Sequence, residues 1–361
     1  MSAVVRLADN PGSSTSARIA LLGTGVVGSA FIDRYLRLLD NGIRLPGIAW
    51  LANSRALQPV EGDVAQALRE ANAAPRLDSP GLPHWAQNES LRAGDTVIDA
   101  TASDVVADWH AQWLARGIHV VTANKLGNGS SWLRAQDIQQ QADAGQSRYG
   151  DSATVGAGLP LLRSIRALVA GGDRIHAVEG VLSGSLAWLF NHYDGRRPFS
   201  ELVREASQAG YTEPDPRIDL SGEDVRRKLL ILARAAGLPL QSHEVRVKSL
   251  VPDALASLPL AQVDTALGQL DAPIAELWQR AAREGGQLRF VGRFDAHGAS
   301  VGVRVLPAGH ALCGGSGTDN RVAISSDRYL QQPLLVQGPG AGAGVTAAAL
   351  LDDVIAITQR A

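Results

Sequence analysis

The sequence predicts an α/β fold in which a Rossmann-type dinucleotide-binding domain precedes an α+β domain. Short apolar runs at Arg18–Leu22, Gly47–Ala52, Thr96–Ala100 and Ile118–Thr122 are separated by segments with helical periodicity. Strands that alternate with helices in this way are typical of βαβ units and of a parallel sheet. A glycine-rich turn directly after the first run, at residues 23–28, is a second indication of a nucleotide-binding sheet.

The pattern changes after residue 150. The middle of the chain predicts a strand at Ala177–Leu182, several helices, and a hairpin of Leu288–Phe294 with Ser300–Pro307. Near the C-terminus, a strand at Pro333–Gln337 enters another glycine-rich loop, and a helix at Val345–Thr358 follows, an order that is similar to the start of the first domain. The predicted organisation is therefore a disordered leader at 1–16, a nucleotide-binding domain at 17–150, a second domain at 151–332, and a segment at 333–361 that returns to the nucleotide-binding domain.

The composition describes an ordinary globular protein and excludes several functional classes. The 361 residues carry a formal net charge of −2, and the basic surface that nucleic-acid binding requires is missing. No apolar run reaches the roughly 20 residues needed to span a bilayer, and the N-terminus lacks the apolar core of a signal peptide. The single cysteine, Cys313, excludes an internal disulfide and a cysteine metal cluster. These features predict a cytoplasmic protein that binds neither nucleic acid nor membranes.

The glycine-rich turn has the spacing of a dinucleotide fingerprint. Gly23, Gly25 and Gly28 form a G-x-G-x-x-G motif between a predicted strand and a predicted helix. The first glycine permits a tight turn, the second lets the backbone approach a pyrophosphate, and the third allows close packing of helix on strand. The anion then lies at the positive end of the helix, where free N–H groups point at it. The alternative is a purely structural turn. The predicted cofactor-binding residues of this loop are Gly23, Thr24, Gly25, Val26, Val27 and Gly28.

The end of the second predicted strand favours NADP over NAD. NAD-binding domains commonly carry an acidic residue there for the ribose hydroxyls, whereas this chain has Asn53, Ser54 and Arg55. No carboxylate is present in this segment to repel a 2′-phosphate, and the Arg55 guanidinium is suited to pair with one. The alternative is that Arg55 is a solvated surface residue.

Polar side chains also follow the next two predicted strands. Thr101 and Ser103 come after one strand, and Asn124 and Lys125 come after the other. Because the carboxyl ends of parallel strands line the ligand crevice, Thr101 and Ser103 are candidates for hydrogen bonds to the cofactor, although both are also suited to cap the following helix. Lys125 is expected between the nicotinamide and the second domain, with an ordinary surface lysine as the alternative.

An acidic stretch in the middle of the chain predicts a site for a positively charged group. Residues 210–217 have the sequence GYTEPDPR and are followed by Asp219, Asp224 and Lys228. Carboxylates at this density repel one another unless they bind or transform something cationic.

The same stretch predicts the start of a helix. Ser221 with Asp224 three residues later has the pattern of a capped N-terminus, and Gly237 predicts the end. Helical periodicity places Asp224 and Lys228 on one side of this helix, toward a pocket. It groups the other charged residues on an outward side: Glu223, Arg226, Arg227 and Arg234. The alternative is an ordinary surface pair four residues apart.

Several motifs together resemble the homoserine dehydrogenase family. They are GTGVVGSA at 23–30, HVVTANK at 119–125, ATVGAGLP at 153–160, VLSGSLAWLFN at 181–191, GYTEPDP at 210–216, DLSGEDVRRKLLILAR at 219–234 and GPGAGAGVTAAA at 338–349. They follow the family's order from about Arg18 to the C-terminus. The resemblance implies an oxidoreductase that interconverts L-aspartate 4-semialdehyde and L-homoserine with NAD(P), in threonine and methionine biosynthesis. It also implies a homodimer and makes residues 151–332 a substrate-binding and dimerisation domain.

The resemblance assigns roles to individual residues. Lys228 corresponds to the usual proton donor and Lys125 to a second lysine at the reacting centre, and which of them transfers the proton is open. Asp219 is suited to orient a lysine. The implied substrate-binding residues are Glu213, Asp224, Gly184, Ser185 and Tyr211, and Gly342 and Ala343 join the cofactor-binding set.

The family also often holds a monovalent cation such as Na⁺ on backbone carbonyls. By match these would be the carbonyls of Ser152, Val155, Ala157 and Leu159. With no kinase segment before the first strand and no regulatory segment after the last helix, we expect a monofunctional enzyme without feedback through an appended domain. The alternatives are a related NADP-dependent dehydrogenase for another amino-acid aldehyde or keto acid, and a non-catalytic NADP-binding sensor.

Overall fold

The computed structural model describes residues 17–75, 90–145 and 147–359. The leader expected at 1–16 lies outside these residues. The described chain contains two six-stranded sheets, each packed against helices. None of the described helices has both the length and the apolar character that a membrane span requires. The α/β class with a Rossmann-type domain and an α+β domain is confirmed.

The first sheet is the expected dinucleotide-binding sheet. Its strands are β1 (Arg18–Leu22), β2 (Gly47–Ala52), β3 (Leu57–Pro59), β4 (Thr96–Asp99), β5 (His119–Thr122) and β6 (Tyr149–Gly150). They have the order β3-β2-β1-β4-β5-β6, and all pairs are parallel except β2 with β3. The order reverses between β1 and β4, the switch point where ligands bind in open α/β sheets. The glycine-rich turn after β1 therefore lies at the predicted place.

Helices cover both faces of this sheet. They are α1 (Val26–Asp40), α2 (Val64–Ala73), α3 (Asp104–Ala115) and α4 (Trp132–Ala144). The interior strand β1 has no exposed surface from Ile19 to Leu22. A parallel strand reads as a continuous apolar run because it is buried on both faces.

The second sheet is mostly antiparallel, with the order β12-β11-β7-β9-β10-β8. Its strands are β7 (Ile175–Val181), β8 (Val245–Val247), β9 (Gly286–Asp295), β10 (Gly298–Pro307), β11 (Asp319–Ser326) and β12 (Leu334–Pro339). The predicted hairpin is confirmed as β9 with β10. The helices of this part are α5 (Leu161–Ala170), α6 (Gly184–His192), α7 (Phe199–Gln208), α8 (Pro216–Leu220), α9 (Glu223–Ala235), α10 (Asp253–Ala256), α11 (Leu260–Ala266) and α12 (Asp271–Arg283).

The C-terminal segment divides between the two sheets. The sequence pattern had indicated that the strand near the C-terminus returns to the nucleotide-binding domain. Strand β12 instead pairs antiparallel with β11 and belongs to the second sheet. The last helix, α13 (Ala343–Thr358), does return to the first domain. There Leu350 and Val354 share a buried cluster with Phe31 and Ile32 of α1. The glycine loop between β12 and α13 is therefore a crossing between domains.

Helix α9 is a buried central helix, and this differs from the expected two-sided pattern. Leu229, Leu230, Ile231 and Leu232 are each at most 1% exposed. Its N-cap is Gly222, with φ +78°, and not Ser221, which ends α8. Glycine is required because a Cβ at this left-handed position would lie 2.8 Å from the Phe290 ring. A helix that is covered on most sides cannot be divided into faces by its charges alone.

Candidate functional site

A cleft of about 1070 Å³ lies between the two domains. The ends of β1, β4 and β5 form one wall, and the loop before α8 with the first turns of α9 forms the other. Residues 153–157 and 340–342, where the chain passes between the domains, complete the lining. The predicted site residues that line it are Val27, Thr101, Lys125, Ala157, Gly184, Ser185, Tyr211, Glu213, Asp219, Asp224, Lys228 and Gly342.

The geometry of the three fingerprint glycines fits a pyrophosphate loop. Gly23 has φ +88°, and a Cβ there would lie 2.7 Å from the Ala100 carbonyl oxygen. A Cβ on Gly28 would lie 1.8 Å from the Gly23 carbonyl oxygen. In contrast, a Cβ on Gly25 would meet no atom within 4 Å, and Gly25 caps α1 without a side-chain hydrogen bond. The open side of the loop thus presents uncapped amides, which suits an anion.

The polar residues at the end of β2 mainly hold the loop together. The Thr24 hydroxyl donates to Asn72 Oδ1 at 2.5 Å and accepts from Asn53 Nδ2 at 2.8 Å. Asn53 Oδ1 in turn accepts the backbone amides of Arg55 and Ala56. Arg55 is half-buried and donates from Nη1 to the Asn72 carbonyl. Asn53, Ser54 and Arg55 lie outside the cleft lining, so they are suited to the distal end of a cofactor.

A buried network holds the Thr101 hydroxyl at the cleft. Asp99, which is fully buried, accepts from the Thr101 amide at 2.9 Å and from its hydroxyl at 2.7 Å. The other Asp99 oxygen lies 2.9 Å from His110 Nε2, and His110 Nδ1 lies 3.1 Å from the Tyr149 hydroxyl. Ser103 caps α3, as one of the two sequence interpretations had it. The buried Asp99 carboxylate therefore fixes the orientation of the Thr101 side chain.

Asp224 bridges two lysines that come from different domains. Lys228 Nζ lies 2.8 Å from Asp224 Oδ2 and donates to the Leu182 carbonyl at 2.7 Å. Lys125 Nζ lies 3.4 Å from Asp224 Oδ1. The Lys228 side chain is 9% exposed and that of Lys125 is 35% exposed. The pair on α9 is thus part of a charge cluster at the cleft and not a solvated surface pair.

The two ammonium groups keep Asp224 ionised. Burial raises the pKa of Asp224, but the charges of Lys228 and Lys125, with their hydrogen bonds, outweigh burial and hold the pKa well below its usual range. Lys125 is held at the end of β5 by Asn124, which donates to the Ser103 carbonyl and accepts the Leu126 amide. The cluster therefore carries a net positive charge next to the cleft.

Asp219 holds the acidic loop in place. Its Oδ1 accepts from the Ser185 hydroxyl at 2.7 Å, and its Oδ2 accepts from the Glu213 amide at 2.8 Å. The expected hydrogen bond to a lysine is not among its contacts in the described part of the chain. Asp219 instead orients Ser185, which is 4% exposed, and the backbone that carries Glu213.

The carboxylates of the acidic stretch have separate partners. Asp215 forms an ion pair with Arg217 at 2.7 Å, and the Arg217 hydrogen bond lowers the pKa of Asp215. Asp219 is occupied by hydrogen bonds and Asp224 by lysines, which leaves the exposed Glu213 side chain directed to the cleft lining. Tyr211 lies at the rim, 45% exposed, with its ring 5.5 Å from that of Trp188.

The loop proposed to hold a cation has an unusual backbone. Ala157, which is 5% exposed, has φ +52° and is the only non-glycine residue with positive φ in the described ranges. Gly156 before it has φ +72°. The Ser152 hydroxyl and amide both bind Asp353, while the Leu159 carbonyl accepts the Leu161 amide at 2.8 Å. Within residues 17–75, 90–145 and 147–359 no cluster of His, Cys, Asp or Glu could hold a metal ion.

Comparison with known proteins agrees with this geometry. The homoserine dehydrogenase family model matches residues 160–355, and the model of the homoserine dehydrogenase NAD-binding domain matches residues 23–149. The homoserine dehydrogenases of Paracoccidioides brasiliensis (strain Pb18) and Emericella nidulans are each 34% identical to the chain. These two relatives align with 96% and 95% of the chain and over 99% and 98% of their own lengths. The chain belongs to the homoserine dehydrogenase family.

Other members of the homoserine dehydrogenase family are longer. The maize chloroplastic bifunctional aspartokinase/homoserine dehydrogenase 2 is 37% identical over 96% of the chain, but the chain spans only 39% of that protein.

Two solved structures are similar to the chain over nearly their whole length. A crystal structure of a Candida auris protein of unknown function is 34% identical and superposes with a TM-score of 0.83, covering 96% of this chain and 99% of its own. The putative homoserine dehydrogenase from Archaeoglobus fulgidus is 25% identical, with a TM-score of 0.78 and coverage of 94% and 99%.

Sequence reasoning missed some of the residues that line the cleft. Arg227 lines the cleft although its helical position grouped it with outward charges, and Thr318 lines it from a loop with no motif of its own. Asp99 was given no role because it lies within the predicted strand Thr96–Ala100. An acidic residue in an apolar run, two positions before Thr101, was the available signal, because a buried carboxylate needs hydrogen-bond donors nearby.

The second and third glycines of the fingerprint predict opposite outcomes for the same substitution. Gly25→Ala should keep the wild-type free energy of unfolding, because its Cβ meets no atom within 4 Å. It should weaken NADPH binding on the order of tenfold, about 1.4 kcal/mol, because the methyl group occupies the approach of the pyrophosphate. Gly28→Ala should lower the free energy of unfolding by about 1–3 kcal/mol through overpacking. Urea unfolding and NADPH fluorescence titration measure the two effects, and unchanged NADPH affinity in Gly25→Ala would contradict the cofactor assignment.

Proposed function

We propose that the protein reduces L-aspartate 4-semialdehyde to L-homoserine with NADPH, reversibly, in threonine and methionine biosynthesis. The observation that carries the proposal is the cluster of Lys125, Asp224 and Lys228 in a cleft next to the NAD-binding loop. Membership of the homoserine dehydrogenase family supports this reaction class.

The two lysines are suited to donate the proton that an aldehyde reduction requires. The nicotinamide cofactor, when bound, supplies the hydride that adds to the aldehyde carbon. The carbonyl oxygen then gains negative charge and needs a proton, which a neighbouring ammonium group can donate and later recover from solvent. Lys228 is held by two acceptors, the Leu182 carbonyl and Asp224, and retains a third N–H for the substrate. Either lysine is suited to be the donor.

The acidic loop suits the α-ammonium group of the substrate. Glu213 is the carboxylate of this loop whose side chain remains for a new ion pair, and Asp224 adds negative charge beside the lysines. Ser185, oriented by Asp219, offers a hydroxyl next to the N-terminus of α6 at Gly184. A charge-assisted pair with the ammonium group selects amino-acid aldehydes over simple aldehydes. Tyr211 at the rim completes the proposed substrate set.

For the cofactor we propose NADP in preference to NAD, bound by the glycine loop together with Thr101, Ser103, Gly342 and Ala343. The half-buried Arg55 at the end of β2 supports the preference, because its guanidinium is suited to a 2′-phosphate. We also propose a Na⁺ or K⁺ ion on the carbonyls of Ser152, Val155, Ala157 and Leu159. The left-handed turn at Gly156 and Ala157 supports this, since it re-aims successive carbonyl groups. A homodimer and a cytoplasmic location are part of the proposal and rest on the sequence.

Substrate discrimination tests the proposed reaction. NADPH oxidation at 340 nm should be rapid with L-aspartate 4-semialdehyde. With succinate semialdehyde, which lacks the amino group, kcat/KM should be lower on the order of 10²-fold, because the charge-assisted pair between the ammonium group and Glu213 would be lost. Equal rates with both aldehydes would favour a related dehydrogenase, and no oxidation with any aldehyde or keto acid would favour a sensor.

Replacement of the better-anchored lysine tests the proton-donor role. Lys228→Met should reduce kcat on the order of 10²–10⁴-fold while NADPH affinity is retained, because general acid catalysis is lost but the glycine loop is untouched. Steady-state rates and fluorescence titration give the two values. The matched control is Lys248→Met, since Lys248 lies on the second domain outside the cleft lining. Wild-type turnover in Lys228→Met would exclude the role.

Exchange of the arginine after β2 tests the cofactor preference. Arg55→Ala should lower the ratio of kcat/KM for NADPH over NADH on the order of tenfold, because one charge-assisted pair with the 2′-phosphate is worth about 1.5–3 kcal/mol. The change should appear in the KM for NADPH, and kcat with NADH should stay unchanged. An Arg55→Ala enzyme that keeps its NADPH preference would refute this interpretation of the segment.

A further inference from the structure

Arg234, near the end of α9, donates to backbone carbonyls of a first-domain loop. Nη1 donates to the Asn128 carbonyl at 2.5 Å, and Nη2 donates to the Ser130 carbonyl at 3.0 Å. Its guanidinium carbon lies 5.4 Å from the centre of the Trp132 ring, close enough for a cation–π interaction. These three residues belong to the segment that begins at Lys125. One side chain of the second domain therefore holds the loop that carries a lysine of the cleft.

The surroundings of Arg234 make the attachment specific for a guanidinium. The side chain is half-buried, and desolvation lowers the pKa of Arg234 to about 10, which leaves it charged at neutral pH. It also donates to the Leu240 carbonyl, beyond the end of its own helix. A planar guanidinium can serve several carbonyls in fixed directions, whereas a lysine ammonium is a single point charge and cannot reproduce the fork.

The same loop contacts α9 at two further places. A Cβ on Gly129 would lie 3.0 Å from the Arg227 carbonyl oxygen and 3.1 Å from Ile231 Cδ1, so this backbone packs directly on the helix. At the other end, Lys125 Nζ lies 3.4 Å from Asp224. From Asp224 to Arg234 the helix rises about 15 Å. The loop of residues 125–131 is therefore docked along α9 at its two ends and its middle.

We propose that Arg234 is a positioning residue for the reaction, which docks loop 125–131 on α9 and thereby sets Lys125 against Asp224 and Lys228. The inference rests on the proposed function of the two lysines. Arg234 acts through the loop and touches neither lysine in the contacts of the described chain. Since misplacement of a reacting group by about 1 Å can cost on the order of 10²-fold in rate, loss of the docking should appear in the chemical step.

Three variants test the proposal on the full chain. Arg234→Met keeps the aliphatic stem and removes the donors, so kcat should fall on the order of 10²-fold while the KM values for aspartate semialdehyde and NADPH change little. Arg234→Lys should give an intermediate kcat because one donor group remains. The matched control is Arg289→Met. Arg289 is 8% exposed and donates to the carbonyls of Phe190, Leu288 and Cys313 in the second domain, away from the loop.

Hydrogen exchange adds a measurement that does not depend on turnover. In Arg234→Met the amides of residues 125–131 should exchange faster, whereas in Arg289→Met they should exchange as in the wild type and kcat should be retained. The proposal is overturned if Arg234→Met keeps its kcat, or if exchange in residues 125–131 is unchanged. If Arg234→Met does not fold, the same two criteria apply to Arg234→Lys. If the wild type does not reduce aspartate semialdehyde, the proposed function fails, and hydrogen exchange still decides whether Arg234 docks the loop.

Discussion

The cleft depends on one carboxylate between two ammonium groups. Two unit charges 4 Å apart interact by about 4 kcal/mol at an effective dielectric of about 20, before solvent screening. Lys125 and Lys228 would therefore repel each other if Asp224 did not lie between them, within 3.4 Å of one and 2.8 Å of the other. Because Lys125 follows β5 of the nucleotide-binding domain and the other two residues lie on α9, this contact also joins the two domains. The packing of the other elements brings the end of β5 and the start of α9 close enough for these side chains to meet.

The chain passes between the domains at two places, and both line the cleft. The first crossing includes the left-handed turn at Ala157, and the second is the glycine loop at 340–342. The two crossings also touch: a Cβ on Gly158 would lie 3.1 Å from the Val345 carbonyl oxygen. Asp353 of α13 then accepts from the Ser152 hydroxyl and from Arg163, so the returning helix anchors the first crossing. Glycines are needed at these crossings because backbones approach one another directly, and rigid crossings hold the cofactor side of the cleft against the substrate side.

Prediction from the sequence located residues of the cleft where their positions follow from local spacing. The glycine fingerprint, the lysine after β5 and the pair on α9 were located because each lies at a defined step after a strand or along a helix. It failed where partners are chosen in three dimensions. Asp219 was expected to orient a lysine and instead binds Ser185 and the Glu213 amide. Helix α5 was not predicted. Its periodicity was sufficient to indicate it, because four apolar residues have amphipathic spacing: Leu161, Leu162, Ile165 and Leu168.

The sequence by itself determined the nucleotide-binding loop, the family, and four strands of the first sheet, β1, β2, β4 and β5. The loop follows from steric rules that act over a few residues, such as the need for glycine where backbones meet at 23–28. The strands follow from their continuous apolar runs, and the family follows from the order of the motifs along the chain. Tertiary structure alone decided that β12 joins the second sheet, that Lys228 is anchored by Leu182, and that Arg234 holds the loop at Asn128. The last two partners are separated by 46 and 106 residues. No spacing rule reaches that far, because contacts at such separations are selected by the packing of whole elements and not by the periodicity of any one of them.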